Sequence, residues 1–312
     1  MPERLAAAAA SPNIAFIKYW GNREPRLRLP ASGSISMTMG GLETRTTVRF
    51  DPGLPADSLT IDGEPATAPA RARVSKHLDL LRARAGVRDH AAVSSRSNVP
   101  AGAGLASSAA AFAALTLAAC AALDLPHDPP SVSRLARRGS GSACRSVYGG
   151  FVEWLPGNGD ADSLAVPLAP PEHWALVDLV ALVSREHKAV TSSDGHGLAD
   201  TSPLQRARLD DAPRRLARCR QAIAERAFAP LADVAELDSN LMHAVMMTST
   251  PPLLYWAAGT LTVMHAVETW RGQGLEVFYT IDAGPNVHCL ACLLYTSPSP
   301  RDRSLSRMPS SA

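Results

Sequence analysis

The run Pro100-Ala101-Gly102-Ala103-Gly104-Leu105-Ala106-Ser107-Ser108-Ala109 constrains the fold more than any other part of the chain. Two glycines this close oppose a regular helix or strand, because glycine loses the most backbone freedom on ordering. Ser107 to Leu115 then supply serine, alanine, phenylalanine and leucine, which favour a helix opened by serine. A loop from Asn98 to Ala106 must therefore feed a helix N-terminus. Such a place offers unpaired N–H groups and the positive end of the helix dipole to an anion, and glycine lets a phosphate approach closely. No Gly-Lys-Ser/Thr closes the run, so it is not the common P-loop. Taken alone, it is equally a tight packing turn.

A chain of 312 residues with 46% hydrophobic content can bury one large core or two modest ones. A net charge of +2 with 19% charged residues argues against a general nucleic-acid binder and leaves room for a local anion site. The five cysteines, Cys120, Cys144, Cys219, Cys289 and Cys292, are odd in number, and the start carries no apolar stretch long enough for a signal peptide. A reducing cytoplasm, with no membrane span, is the expectation. Ser34 to Met39 and Thr44 to Phe50 alternate as half-buried strands do, and Val277 to Ile281 also reads as a strand. Pro203 to about Met247 is rich in Arg, Ala and Leu at helical spacing, which makes the class α+β.

Two further blocks suit anions. Asn13-Ile14-Ala15-Phe16-Ile17-Lys18-Tyr19-Trp20-Gly21 sets a cation and a phenol beside a turn glycine, a combination fit to hold a phosphorylated molecule. It reads equally as a buried strand whose lysine snorkels. Arg137-Arg138-Gly139-Ser140-Gly141-Ser142-Ala143-Cys144-Arg145-Ser146 surrounds its arginines with small residues that expose hydroxyls and amides, which points to a restricted cleft around Arg145. An ordinary solvated basic turn is the alternative.

In order and spacing these blocks, with Asp282-Ala283-Gly284-Pro285-Asn286, resemble the diphosphomevalonate decarboxylase family of the GHMP kinase superfamily over about residues 10–290. The Arg138–Ser146 run is specific to that decarboxylase within the superfamily. The resemblance implies a two-domain GHMP kinase fold, with a ribosomal protein S5 domain 2-like ATP-binding domain over 1–175 and a GHMP C-terminal α+β domain over 176–291. It also implies a homodimer, with ATP and Mg²⁺ as cofactors and a small-molecule substrate. Asp282 matches the catalytic aspartate beside the substrate hydroxyl, Arg145 the residue that grips the substrate carboxylate, and Lys18 a further catalytic and substrate-binding cation. Tyr19, Arg73, Ser142 and Ser192 match the rest of the substrate site. Asn98, Pro100, Gly102, Gly104, Leu105, Ala106, Ser107 and Ser108 match the ATP loop, with Ser107 a candidate Mg²⁺ contact.

The chain departs from the family where a lysine should follow Trp-Gly, because Asn22 stands there with Arg23 next as a candidate replacement. Mevalonate 5-diphosphate is the family substrate, and the lost cation opens mevalonate 5-phosphate as a shorter one. A mevalonate 3-kinase without decarboxylation, and a GHMP-fold binding protein without catalysis, complete the alternatives. Lys188, before Ala189-Val190-Thr191-Ser192-Ser193, lies in a segment similar to the family's substrate-side loop. His77, His187, His196, His243 and His288 lack metal-ligand spacing and are expected to be structural or on the surface, and Cys289-x-x-Cys292 is too small for a zinc site. From about Cys292 the chain turns Ser/Pro/Arg-rich without a hydrophobic period and is similar to translated sequencing-adapter sequence. Residues 292–312 are therefore expected to be a non-native or disordered tail, with a helix and strand of the second domain missing and a sheet edge left open.

Overall fold

Between Thr44 and Asp51 every second side chain is buried, the period of a strand with one face on a core. The computed structural model describes residues 4–99, 107–184 and 190–292. In chain order the strands are β1 (Arg4–Ala10), β2 (Asn13–Ile17), β3 (Asn22–Glu24), β4 (Leu29–Pro30), β5 (Ser34–Thr38), β6 (Thr44–Asp51), β7 (Ser58–Ile61), β8 (Glu64–Pro65) and, after helix α1 (Ala68–Ala85), β9 (His90–Ser97). Helices α2 (Ser107–Ala122) and α3 (Pro129–Gly139) and a 3-10 turn, Gly141–Val147, precede β10 (Phe151–Trp154), β11 (Ala165–Ala169) and β12 (Leu176–Ala181). Helices α4 (Ser192–Gly195), α5 (Gln205–Glu225), α6 (Phe228–Met247) and α7 (Ala258–Gly272) lead to β13 (Val277–Ile281) and β14 (Val287–Cys292).

A five-stranded sheet of order β1-β6-β9-β7-β8 carries the first core. Val48 and Phe50 of β6 cluster there with Leu78 and Leu81 of α1 and Phe112 and Leu115 of α2. The alanines Ala109, Ala110, Ala113, Ala114, Ala118 and Ala119 of α2 are all buried, and Ala6, Ala8 and Ala10 of β1 pack against the same cluster. Small side chains on both sides let helix and strand approach closely, which gives the alanine-rich start of the chain its place in the packing.

The second core joins a four-stranded sheet, β11-β10-β5-β2, to a three-stranded one, β12-β14-β13. Phe16 of β2 stands 6.3 Å from Phe151 of β10 and 6.2 Å from Phe278 of β13, ring to ring, so strands far apart in the chain share one hydrophobic unit. Fully burying a phenylalanine contributes about 2–3 kcal/mol. Helices α5 and α6 cover this unit with Leu216, Leu231 and Val234. The stretch with helical spacing from Pro203 to about Met247 forms two helices, divided at Arg226, whose φ of 54° caps α5 without a glycine.

Beneath the end of β2 lies a buried charge cluster. Asp238 of α6 meets Arg215 Nε at 2.7 Å and Arg208 at 3.8 Å, all three inaccessible to solvent. Asp238 Oδ2 also accepts the Lys18 backbone N–H at 2.6 Å, and Arg208 donates to the Lys18 carbonyl at 2.8 Å. The chain leaves its sheet here, and these side chains take over the backbone groups that a ladder would have paired. Among the described residues no helix is long and apolar enough to cross a membrane.

Candidate active site

The end of β2, the start of α2, the Gly141–Val147 turn and the β13–β14 connection enclose a cleft of about 250 Å³. Lys18 is 1% exposed, and its Nζ donates to Asp282 Oδ1 at 2.7 Å, leaving that carboxylate partly open to the cleft. Each partner is held from behind. Ser239 of α6 bonds both the N–H and the carbonyl of Ile281, the residue before Asp282, at 3.0 and 3.2 Å. Thr280 of β13 donates to the Ala15 carbonyl of β2 at 3.3 Å, which fixes one strand against the other.

Arg145 lies wholly inside the wall. Its Nε donates to Ser36 Oγ at 2.9 Å and to Asn13 Oδ1 at 3.2 Å, its second terminal nitrogen reaches Asn13 at 3.1 Å, and the first reaches Ser34. Asn13 in turn donates to Ser146 Oγ at 2.7 Å and to the Ser142 carbonyl at 3.2 Å. Burial lowers the Arg145 guanidinium from its ordinary value, against the pull of Cys144, Asp282 and Tyr19. Neutral hydroxyls and an amide hold it, so its charge stays available to an anion in the cleft.

Tyr19 is clamped between His196, stacked at 4.1 Å, and the edge of Trp154 at 4.7 Å. A Cβ on Gly141 would sit 2.3 Å from the Tyr19 ring, so only glycine fits there. Tyr19 donates to Asn22 Oδ1 at 2.5 Å, and burial pushes its phenol up to about 12. His196 accepts the Gly21 N–H at Nδ1, 3.0 Å away, which places its own hydrogen on Nε2. Burial first, then Arg28 and Arg208, lowers this imidazole to about 3, so it is neutral at physiological pH.

Of the residues expected from sequence, Lys18, Tyr19, Ser107, Ser108, Ser142, Arg145, Ser192 and Asp282 all line this cleft. Ser108 also meets Ser140 at 3.3 Å, hydroxyl to hydroxyl. Arg73 sits behind the wall, over the Phe112 ring at 4.6 Å and donating to the Gly139 carbonyl at 3.1 Å. Asn98 turns to the β5–β6 connection, accepting from Glu43 N–H and donating to the Gly41 carbonyl. Pro100, Gly102, Gly104, Leu105, Ala106 and Lys188 lie outside the described residues, as does the stretch after Cys292. Arg137 and Arg138 point to Asp160, at 2.6 and 3.6 Å, leaving Arg145 as the cleft arginine of its block. Arg23 donates to the carbonyls of Pro156 and Gly157 at 2.9 and 2.6 Å and does not line the cleft.

Sequence reasoning missed Arg28 and His196 and gave Asn13 no role. His196, expected to be structural or on the surface, is buried in the cleft wall; its place four residues after Ser192 on a short helical turn was the available signal. Arg28 sits in a plain charged stretch and carried none. Cys289 is buried in β14 and Cys292 pairs with Leu176 across the same sheet. No group of three or more His, Cys, Asp or Glu suited to a metal occurs among the described residues.

Two family models match the chain: the diphosphomevalonate decarboxylase-like N-terminal domain over residues 10–165, and the mevalonate 5-diphosphate decarboxylase C-terminal domain over 178–305. A diphosphomevalonate decarboxylase from Ganoderma lucidum is 38% identical over 90% of this chain and 76% of its own length. The human diphosphomevalonate decarboxylase is 37% identical over 91% of this chain and 76% of its own. Among solved structures, mevalonate diphosphate decarboxylase from Staphylococcus aureus superposes with a TM-score of 0.89 at 39% identity, covering 93% of this chain and 88% of the other. A structure described as MDDEF in complex with MVAPP, AMPPCP and magnesium gives 0.89 at 37% identity, covering 93% and 89%.

Proposed function

The chain belongs to the diphosphomevalonate decarboxylase family, and from that premise we infer that its cleft decarboxylates mevalonate 5-diphosphate with ATP and Mg²⁺, giving isopentenyl diphosphate, ADP, phosphate and CO₂. It is a carboxy-lyase on a two-domain GHMP kinase fold of class α+β. The observation that carries this reading is the Lys18–Asp282 ion pair facing the buried Arg145 across one cleft.

The residues divide the work. Asp282 accepts a hydrogen bond from, or the proton of, the substrate's tertiary hydroxyl, and Lys18 fixes the orientation of its carboxylate. Arg145, with Ser142 and Ser192 beside it, holds the substrate carboxylate so that its bond to carbon is aligned for cleavage. The hydroxyls of Ser107 and Ser108 at the N-terminus of α2 fit a phosphate chain with its Mg²⁺, since both are oxygen donors at the positive end of a helix. ATP, when bound, supplies the phosphoryl group that turns the hydroxyl into a leaving group. Tyr19 belongs to the substrate's phosphoryl side, whereas Arg73, expected there too, lies behind the wall.

ATP-dependent CO₂ release from mevalonate 5-diphosphate tests this directly, and ATP consumption without CO₂ would leave a kinase in its place. Asn22, neutral and engaged by Tyr19, favours mevalonate 5-phosphate as a second reading, which the same assay separates. A cytoplasmic site fits the five unpaired cysteines, and the homodimer that the family resemblance implies is measured by light scattering.

A further inference from the structure

Among the described residues the cleft is lined by three cationic side chains, and two of them have side-chain partners: Lys18 bonds Asp282, and Arg145 is held by the neutral Ser34, Ser36 and Asn13. Arg28 is the third, and its guanidinium makes no hydrogen bond or ion pair with any described residue. Nothing in its position suggests a loosely held surface charge. Its N–H returns to the Pro25 carbonyl at 3.2 Å, closing the turn between β3 and β4, and its φ of 50° is a conformation that L residues seldom take.

That turn is anchored from three sides. The fully buried Arg137 donates to the Leu27 carbonyl, Ala31 N–H reaches the Gly21 carbonyl at 3.1 Å, and Arg23 grips the carbonyls of Pro156 and Gly157. The backbone that presents Arg28 is therefore fixed while its charged head is left unused. Its charge is felt at Tyr19, Arg73, His77 and His196, and at Arg73 it adds to burial in lowering a second guanidinium to about 10. Arg73 keeps a buried Nε without a partner, and His196 carries its hydrogen on Nε2. Asn22, taken up by Tyr19, adds no charge here. An uncancelled positive charge and an imidazole N–H on the lining of one cleft make a phosphoryl-recognition surface.

We propose that Arg28 binds the phosphoryl end of the substrate and sets the affinity of the cleft for phosphorylated mevalonate. The inference rests on the decarboxylase reading of the site, and its test is built to fail separately. Calorimetric titration of the full chain with mevalonate 5-phosphate and with mevalonate 5-diphosphate compares wild type with Arg28→Asn, a residue that tolerates the left-handed backbone, and with Arg28→Gln. Loss of one charge-assisted contact is expected to weaken binding roughly 10- to 100-fold. Arg28→Lys should recover part of it, while kcat at saturation moves much less than KM. A loss shared by both compounds places the guanidinium on the phosphoryl next to carbon, and a loss confined to the diphosphate places it on the terminal one; either supports the assignment. Equal affinity in wild type and both neutral variants, or a wild type that binds neither compound, overturns it. CO₂ release by wild type is scored independently, so a protein that binds through Arg28 and releases no CO₂ loses the decarboxylase reading alone.

Discussion

Asp282 has one oxygen on Lys18 and lines the cleft, and asparagine keeps its shape, so removing its charge should leave the pocket's shape almost unchanged. Asp282→Asn is expected to lower kcat for CO₂ release about a thousandfold with substrate affinity little altered, as rapid-quench and titration measurements together would show. Affinity lost in parallel with kcat would instead make Asp282 a binding group. Lys18, Arg145 and Asp282 were found from the sequence because each sits in a short run that resembles a family motif, and all three line the cleft. Arg28 and His196 were not, since each reaches the cleft only through the fold, one across a hairpin and the other by an imidazole turned inward onto Gly21. Arg73 shows the opposite case: the expected phosphate ligand spends one nitrogen on the Gly139 carbonyl and its plane on Phe112.

Strands and helices set how firmly these groups are aimed. The bend after β2 depends on Asp238, which receives the Lys18 N–H while facing two arginines in the interior. Asp238→Ala strands Arg208 without a counter-charge and leaves Arg215 only Asp211, at 2.6 Å, and is expected to cost about 3–5 kcal/mol in urea unfolding. A change below 1 kcal/mol would mean that water replaces the carboxylate there. At the 3-10 turn, Gly141→Ala must displace the Tyr19 ring, which stacks on His196. A rise of about tenfold in KM with the melting temperature nearly kept is the expected outcome, since the displaced ring is part of the cleft lining. Alternation made β6 readable, and a serine-led apolar run made α2 readable; β5, expected to be half-buried, has its first four residues buried, and β13 is buried along its whole length. The break between α5 and α6 was hidden because Arg226, a residue with no preference for positive φ, provides it.

At the scale of the whole molecule, acid stability follows from three neutral imidazoles. Burial is the first cause in each case, lowering His77 and His196 to about 3 and His243 to about 4. Each takes up a proton in the unfolded chain near pH 6.5 but not in the native one, so the unfolded state binds more protons as the pH falls. Their contribution is whole above pH 6.5 and drains at about 1.4 kcal/mol per pH unit for each histidine on the way down to pH 4. Melting temperatures measured from pH 7.5 to 4.5 should fall steeply below pH 6.5, and a flat profile would contradict neutral burial. The α+β class was plain from the sequence, but the shared core of Phe16, Phe151 and Phe278 was not, because no local period links strands that far apart. In the three-stranded sheet, β12 and β13 both pair with β14, which lies between them. During synthesis the flanking strands emerge first and have nothing to bond until residue 292 has left the ribosome. The turn that bears Asp282 is thus locked in place only once β14 has followed it, and a ribosome that pauses earlier holds two waiting sheet edges for chaperones to guard.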